Sequence, residues 1–202
     1  MRNTQQENYP VMQPVRKTGE EAISGTDCTL LDFWQWAYSS VMDNTERGIF
    51  AEWLVARALG ADRGVRTEWD KYDICTAEGI RVEVKSSGYL QTWSQKHLSR
   101  IVFSIPKTHG WNGEEAVFDP ESKRQSDIYV FCVHHHRMKD TVNPLDVTQW
   151  SFYVLPTRQL DRILGNQRTI SLSGLLKLGA VQTDYAGLRH TVYGLYHTAR
   201  IE

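Results

Sequence analysis

The stretch YDICTAEGIRVEVKSS, residues 72–87, sets two acids and a lysine, Asp73, Glu83 and Lys85, inside what otherwise reads as a short apolar β-hairpin. Ala77-Glu78-Gly79 suits a three-residue hairpin loop, with glycine last, where a left-handed backbone is needed. Centring the hairpin on Glu78 opposes Thr76 to Ile80, Cys75 to Arg81, Ile74 to Val82 and Asp73 to Glu83. The even-numbered face then carries Ile74, Ile80, Val82 and Val84, a core face by period-two alternation, and the odd-numbered face carries Asp73, Glu83 and Lys85. Directly opposed residues have Cβ atoms about 4.5–5.5 Å apart, where like charges destabilise the pair. Lys85 can neutralise one carboxylate. Two acids are also a natural oxygen site for Mg²⁺ or Mn²⁺, with a backbone carbonyl and waters completing the octahedron. The plainer alternative is a solvent-facing strand bearing an acid-acid-lysine cluster.

A second acid position precedes the hairpin. In ERGIFAEWLVARALG nearly every interior residue is apolar, so the segment reads as a helix buried on most sides. Glu52 is the exception. Gly48 and Ala56 lie one turn to either side of it on the same face, and small neighbours would let that face approach the sheet, carrying the carboxylate into a region where an unpaired charge is costly. A metal shared with Asp73 and Glu83 would explain its placement. In the competing reading Glu52 lies on a narrow solvated stripe beside Arg47 or Arg57.

The chain has 202 residues, net charge −1, 41% hydrophobic and 23% charged residues. It is long enough for one globular domain and has no global basic field to announce a nucleic-acid partner. A local one exists: from residue 84 to 113 there is no acid, whereas Lys85, Lys96, Arg100 and Lys107 occur, interleaved with Tyr89 and Trp93. Lys96 and Arg100 share a face if their segment is helical and suit backbone phosphates; solvated lysines at a helix end are the alternative. Three cysteines in no CxxC spacing argue against a disulfide framework or zinc module and suit a reducing cytoplasm. No apolar run is long enough to span a membrane. The run His134-His135-His136 alternates faces on a strand, so its imidazoles do not converge on one metal. Asp127 reads as an acid at a strand boundary, Cys75 as a small strand residue, and the tryptophans as core rather than stacking platforms, with Trp93 the one to check.

The elements that must position these groups follow from pattern and punctuation. Residues 1–27 are polar with Pro10 and Pro14 and read as a loose N-terminal arm, followed by one domain over 28–202. A helix is expected over 29–42 and another over 45–59, the latter with Asp43 and Glu46 at capping-box spacing. Strands are expected near 65–69, 72–76, 80–86 and 101–105, with a short helix near 90–98. A long loop over 108–126 is followed by strands at 126–135 and 149–156, and by helices near 157–164, 171–178 and 184–197, with Leu175, Leu176 and Leu178 as core contacts. Helices, then strands, then helices indicate an α/β fold with a mixed central sheet flanked by helices.

Taken together, these residues resemble the PD-(D/E)XK nuclease superfamily, which includes Holliday-junction resolvases and many restriction endonucleases. RGIFAEWLVARALG is similar to its first-helix motif, with Glu52 at the acid position; Asp73 matches the motif aspartate and Glu83-Val84-Lys85 the E-x-K element. SSGYLQTWSQKHLSRIVFSI is similar to uncharacterised bacterial members whose helix after the motif carries a glutamine, a position that Gln95 or Gln91 fills. Tyr72 stands where a proline often precedes the aspartate. The resemblance spans roughly residues 45–156, leaving a helical C-terminal part at 157–202. It implies a restriction-endonuclease-like α/β core and metal-dependent phosphodiester hydrolysis, mostly of DNA. Asp73, Glu83, the Val84 carbonyl and Glu52 would hold Mg²⁺ or Mn²⁺, Lys85 would act at the reacting phosphate, and Gln91, Gln95, Lys96 and Arg100 would contact nucleic acid, in a cytoplasmic protein compatible with a homodimer. The alternative is a nucleic-acid-binding or complex-assembly protein on the same fold with little turnover.

Overall fold

A computed structural model of the chain describes residues 11–67, 70–113 and 116–201. Its first regular element is helix α1, Leu30–Tyr38, entered through a capping box between Thr29 and Asp32. Just upstream, Ala22 bridges Thr29 and the amide of Ile23 donates to the Cys28 carbonyl at 2.9 Å, which closes the end of the N-terminal arm onto the helix; residues 1–10 lie outside the described residues.

Helix α2, Asn44–Leu59, ends at Gly60, whose positive φ of 75° lets its N–H reach the Ala56 and Arg57 carbonyls. The expected capping box does not form at its start: the Asp43 carboxylate accepts no helix N–H and instead accepts the Thr92 hydroxyl at 2.7 Å. Ala51, Leu54, Val55 and Leu59 are its buried face.

Strands β1, Ile74–Cys75, and β2, Arg81–Gly88, form the hairpin read from the sequence, in the same register. β2 pairs in parallel with β6, Ile128–His134, which pairs antiparallel with β7, Trp150–Pro156, and β7 with β9, Val181–Thr183. The sheet is therefore five-stranded and mixed, in the order β1-β2-β6-β7-β9. One face, with Ile74, Val82, Val84, Val130 and Phe152, packs on α2 and on α5, Leu188–Ile201. The other, with Tyr129, Phe131, Val133, Tyr153 and Leu155, packs on Ile101, Phe103, Ile170, Leu160 and Leu175. These last come from β3, Val102–Ser104, and β8, Thr169–Ser171, with their flanks, and from α3, Thr157–Leu164, and α4, Leu172–Lys177. β6 is buried along its whole length, as a central strand covered on both faces must be.

Several expectations change. Residues 65–67 form no strand, and 68–69 lie outside the described residues. Residues 90–98 form no helix. The Gln95 side chain accepts the Gln91 amide at 2.8 Å and donates to the Tyr89 carbonyl and the Ser99 hydroxyl, and such side-chain bonds compete with the helical ladder. The expected loop at 108–126 holds a hairpin of β4, Thr108–Asn112, and β5, Val117–Lys123, with an irregularity between His109 and Trp111. Its β5 strand carries Pro120 and faces solvent, so no alternation marks it. β8 and β9 were too short to register as patterns. Leu175 is fully buried but Leu176 is 48% exposed. The tryptophans are not mainly core: of those described, Trp150 is buried, whereas Trp36, Trp53 and Trp93 are exposed. The three histidines part company as expected. His134 is buried against Trp150, and burial pushes its pKa down to about 4, while His135 meets the Ser151 hydroxyl and His136 that of Thr141.

Arg124 ties the end of the β4–β5 hairpin to the body. Its fully buried guanidinium donates to the carbonyls of Ile105, Gly165 and Gln167, each at 3.0 Å, and to the Asp161 carboxylate at 2.5 Å. Removing it strands these acceptors. Arg124→Ala is expected to destabilise the protein by about 3 kcal/mol, read as a lower midpoint in urea denaturation with an unchanged slope.

Candidate active site

The hairpin loop closes as its glycine requires. Gly79 has φ 82°, its N–H donates to the Thr76 carbonyl at 2.9 Å, and the Thr76 amide donates to the Ile80 carbonyl at 3.0 Å. With Ile74 opposite Val82, Asp73 is the next residue out along β1, facing Glu83. The even-numbered residues Ile74, Ile80, Val82 and Val84 are buried and the odd-numbered Asp73, Glu83 and Lys85 are partly exposed. One Asp73 oxygen accepts the Val84 amide at 2.6 Å. Lys85 Nζ lies 2.5 Å from Glu83 Oε1. The three side chains line one cavity of about 340 Å³, with Lys71, Ser104, Thr108, Gln125 and Tyr129 among its other walls.

Glu52 approaches from the α2 side. Its side chain is only 13% exposed, and Oε2 accepts Arg66 Nε at 2.9 Å. It lines a second cavity, of about 300 Å³, whose wall also includes Asp73; Asp73 thus stands between the two. The cation beside Glu52 is neither of those considered from the sequence: Arg57 pairs with Asp62, and Arg47 is buried, bonding the Met42 and Leu90 carbonyls. Gly48 does not serve close packing, since a Cβ there would meet nothing within 4 Å.

The electrostatics follow from burial and charge. Burial raises the pKa of Glu83, the Lys85 ammonium opposes the rise and the Asp73 charge adds to it. Burial likewise raises that of Glu52, countered by the Arg66 hydrogen bond and reinforced by Asp73. Tyr129, opposite Glu83 in the β2–β6 register, has its phenol pushed up by burial and by Glu83. These carboxylates are held where their charge is uncomfortable, a frequent property of metal and catalytic sites.

Among the described residues, no three His, Cys, Asp or Glu side chains stand together closely enough to hold a metal ion by themselves. A hard divalent cation does not require that, since Mg²⁺ is commonly held by one or two carboxylates with waters in its remaining positions. Asp73 and Glu83, on one cavity wall, fit that donor set.

The β4–β5 hairpin forms the far wall. Lys71, two residues before Asp73, binds Asp119 of β5 at 3.0 Å, and Gly110 leaves room for this contact: a Cβ there would fall 2.5 Å from the Asp119 carboxylate and 2.9 Å from the Lys71 side chain. Lys71, Gln125 and Tyr129 had no signal as site residues in the sequence, apart from the adjacency of Lys71 to the acidic stretch. Gln91 and Gln95 are not in the cavity. Gln91 is buried, bonding the Gly88 carbonyl and Ser99, and both amides organise the loop between β2 and β3. Lys96 and Arg100 are exposed, without the helical face expected for them.

A mixed sheet between helices, with two carboxylates and a lysine gathered in a cleft at its edge, defines an α/β protein with a charged pocket. The chain matches the family model of bacteriophage T4 endonuclease IV over residues 7–173 and belongs to that family. Membership makes it an endonuclease-family protein, with nucleic acid as the class of substrate. No curated protein matches it. Among the described residues, no helix is long and apolar enough to cross a membrane.

The raised pKa values predict a pH signature. A carboxyl whose folded pKa lies above its ordinary 4.5 contributes stability below that value and loses it as pH rises through the folded pKa. In metal-free buffer, the melting temperature of Glu52→Gln/Glu83→Gln is therefore expected to gain on that of the parent as pH rises from 4.5, levelling off once both parent carboxyls are ionised. A constant gap across this range, by scanning calorimetry, would show that the two groups titrate normally.

Proposed function

We propose that the protein is a divalent-metal-dependent endonuclease of the PD-(D/E)XK type, acting on DNA. The observation that carries the reading is the convergence of Asp73, Glu83 and Lys85 on one cavity, from a hairpin that presents the aspartate and the E-x-K element on its odd-numbered face. Membership of an endonuclease family supports the reaction class.

A phosphodiester is anionic and repels a nucleophile, so its hydrolysis needs an activated water, charge neutralisation at the phosphoryl oxygens and help for the leaving oxygen. Asp73 and Glu83, with the Val84 carbonyl, are the groups to hold Mg²⁺ or Mn²⁺, which would supply Lewis acidity and acidify water there. Asp73 is preorganised by the Val84 amide, which fixes one carboxylate oxygen at the cavity wall. Lys85 neutralises Glu83 in the free protein and is within reach of an incoming phosphate, where it stabilises developing negative charge or orients the attacking water. Glu52, tied to Arg66, adds a carboxylate behind Asp73, suited to hold an ordered water. Lys96 and Arg100 supply backbone-phosphate contacts. Free cysteines at 28, 75 and 132 suit action in the cytoplasm.

Purified protein incubated with labelled DNA and RNA is expected to cleave DNA with Mg²⁺ or Mn²⁺ and to be silent in EDTA. Asp73→Asn and Glu83→Gln should each lower the cleavage rate by about 10²-fold or more, the order expected for losing one electrostatic group of a catalytic site. Lys85→Ala should lose cleavage while keeping a rise in melting temperature on adding Mg²⁺, because a ligand bound only by the folded state stabilises it. Metal-dependent DNA binding by the parent without cleavage would instead favour the binding-protein alternative.

A further inference from the structure

A second acid-free segment lies far from the first in sequence. Residues 84–113 contain no Asp or Glu, and neither do residues 162–183, which carry Arg162, Arg168 and Lys177. The fold joins the two. β3 pairs with β8, Val102 opposite Ser171, Phe103 opposite Ile170 and Ser104 opposite Thr169, and the Ile105 amide donates to the Arg168 carbonyl at 2.8 Å. Phe103 and Ile170 face the core, leaving Val102, Ser104, Thr169 and Ser171 on an exposed face that is mostly hydroxylated.

At the end of this ribbon, Lys107 and Arg168 line a cleft of about 350 Å³ with Pro106, Ser122 and Asn166. Pro106 also lines the cavity of Asp73, Glu83 and Lys85, as do Ser104 and Thr108 on either side of it in the chain. Lys107 sits between Pro106 and Thr108, so its Cα is one chain step, about 3.8 Å, from residues of the acid cavity, while its side chain serves the neighbouring cleft. No acid lines that cleft. The nearest acids along the chain are committed elsewhere: Glu121 to Lys123 and Asp161 to Arg124. Among the described residues, neither the Lys107 ammonium nor the Arg168 guanidinium has an ion-pair partner. Two free cations with a hydroxyl and an amide form a site for a phosphate group, the cations supplying charge and Ser122 and Asn166 hydrogen bonds.

We infer that the Lys107–Arg168 cleft binds a backbone phosphate of the nucleic-acid strand beside the bond being cut, setting the strand's register against Asp73, Glu83 and Lys85. This rests on the nuclease reading, because it takes its ligand from the strand in the acid cavity. Contacts of this kind position a strand without reading its bases, so the cleft contributes affinity and alignment rather than sequence preference.

The test is binding of fluorescent oligonucleotides in EDTA at several salt concentrations, alongside cleavage with Mg²⁺, for the parent, Lys107→Gln/Arg168→Gln and the control Arg162→Gln/Lys177→Gln. The control removes the same charge from residues that do not line the cleft. Losing the phosphate contact of the cleft should flatten the plot of log K against log salt by about 0.7–0.9 and weaken binding at low salt by about tenfold or more. In cleavage, KM should rise with little change in kcat, and the melting temperature should stay that of the parent. The control should keep close to the parental slope. A cleft variant with the parental slope and affinity, or a control that flattens the slope equally, overturns the subsite while leaving the nuclease reading intact. A parent that neither binds nor cleaves nucleic acid overturns both.

Discussion

The parallel pairing of β2 with β6 is the constraint on which the rest of the molecule depends. It places a strand of alternating character beside one buried along its whole length, and thereby decides that Val82 and Val84 face α2 while Glu83 and Lys85 face the other way. A slip of one residue would exchange the faces and bury the charges under the helix. The hairpin loop at Gly79 fixes the register of β1 on β2, and the β2–β6 pairing fixes β2 in the sheet; between them Asp73, Glu83 and Lys85 have only one place to go.

That place is electrostatically tense. Asp73 raises the cost of ionising Glu83 and Glu52, and the cations that relieve those two, Lys85 and Arg66, come from different parts of the surrounding chain. A purely structural sheet edge gains nothing from such an arrangement, since apolar or singly charged residues would serve it better. The tension is tolerated because the hydrogen bond from Val84 and the two carboxylate–cation pairs hold the groups in fixed positions, which is also what a site needs if its charges are to meet a phosphate without reorganising.

The β3–β8 ribbon and the β4–β5 hairpin give the site its walls. The ribbon covers the half of the sheet that must be dry, with Phe103 and Ile170 inward, and leaves a hydroxylated outer face that runs toward the acid cavity. The hairpin is held by Lys71–Asp119 on one side and by Arg124 on the other. Both are small two-stranded units outside the main sheet, so their positions rest on a few side chains rather than on a long ladder of backbone bonds.

The hairpin about Glu78, its two faces, the apolar α2 with its single inward acid and the α/β class were all legible in the sequence, because each depends on period-two or helical alternation and on a glycine that only a turn requires. The acids and Lys85 were legible for the same reason: a charge in an apolar pattern is visible locally. The helix expected at 90–98 was not formed, because Gln91 and Gln95 bond the loop backbone instead, and the β4–β5 hairpin was hidden by a solvent-exposed strand without alternation. What only the tertiary structure decided was adjacency. Arg66 beside Glu52, Tyr129 beside Glu83, Asp119 beside Lys71 and Arg168 beside Lys107 join residues from separate elements, and such pairings are set by strand order and packing, which leave no trace in the spacing of residues along the chain.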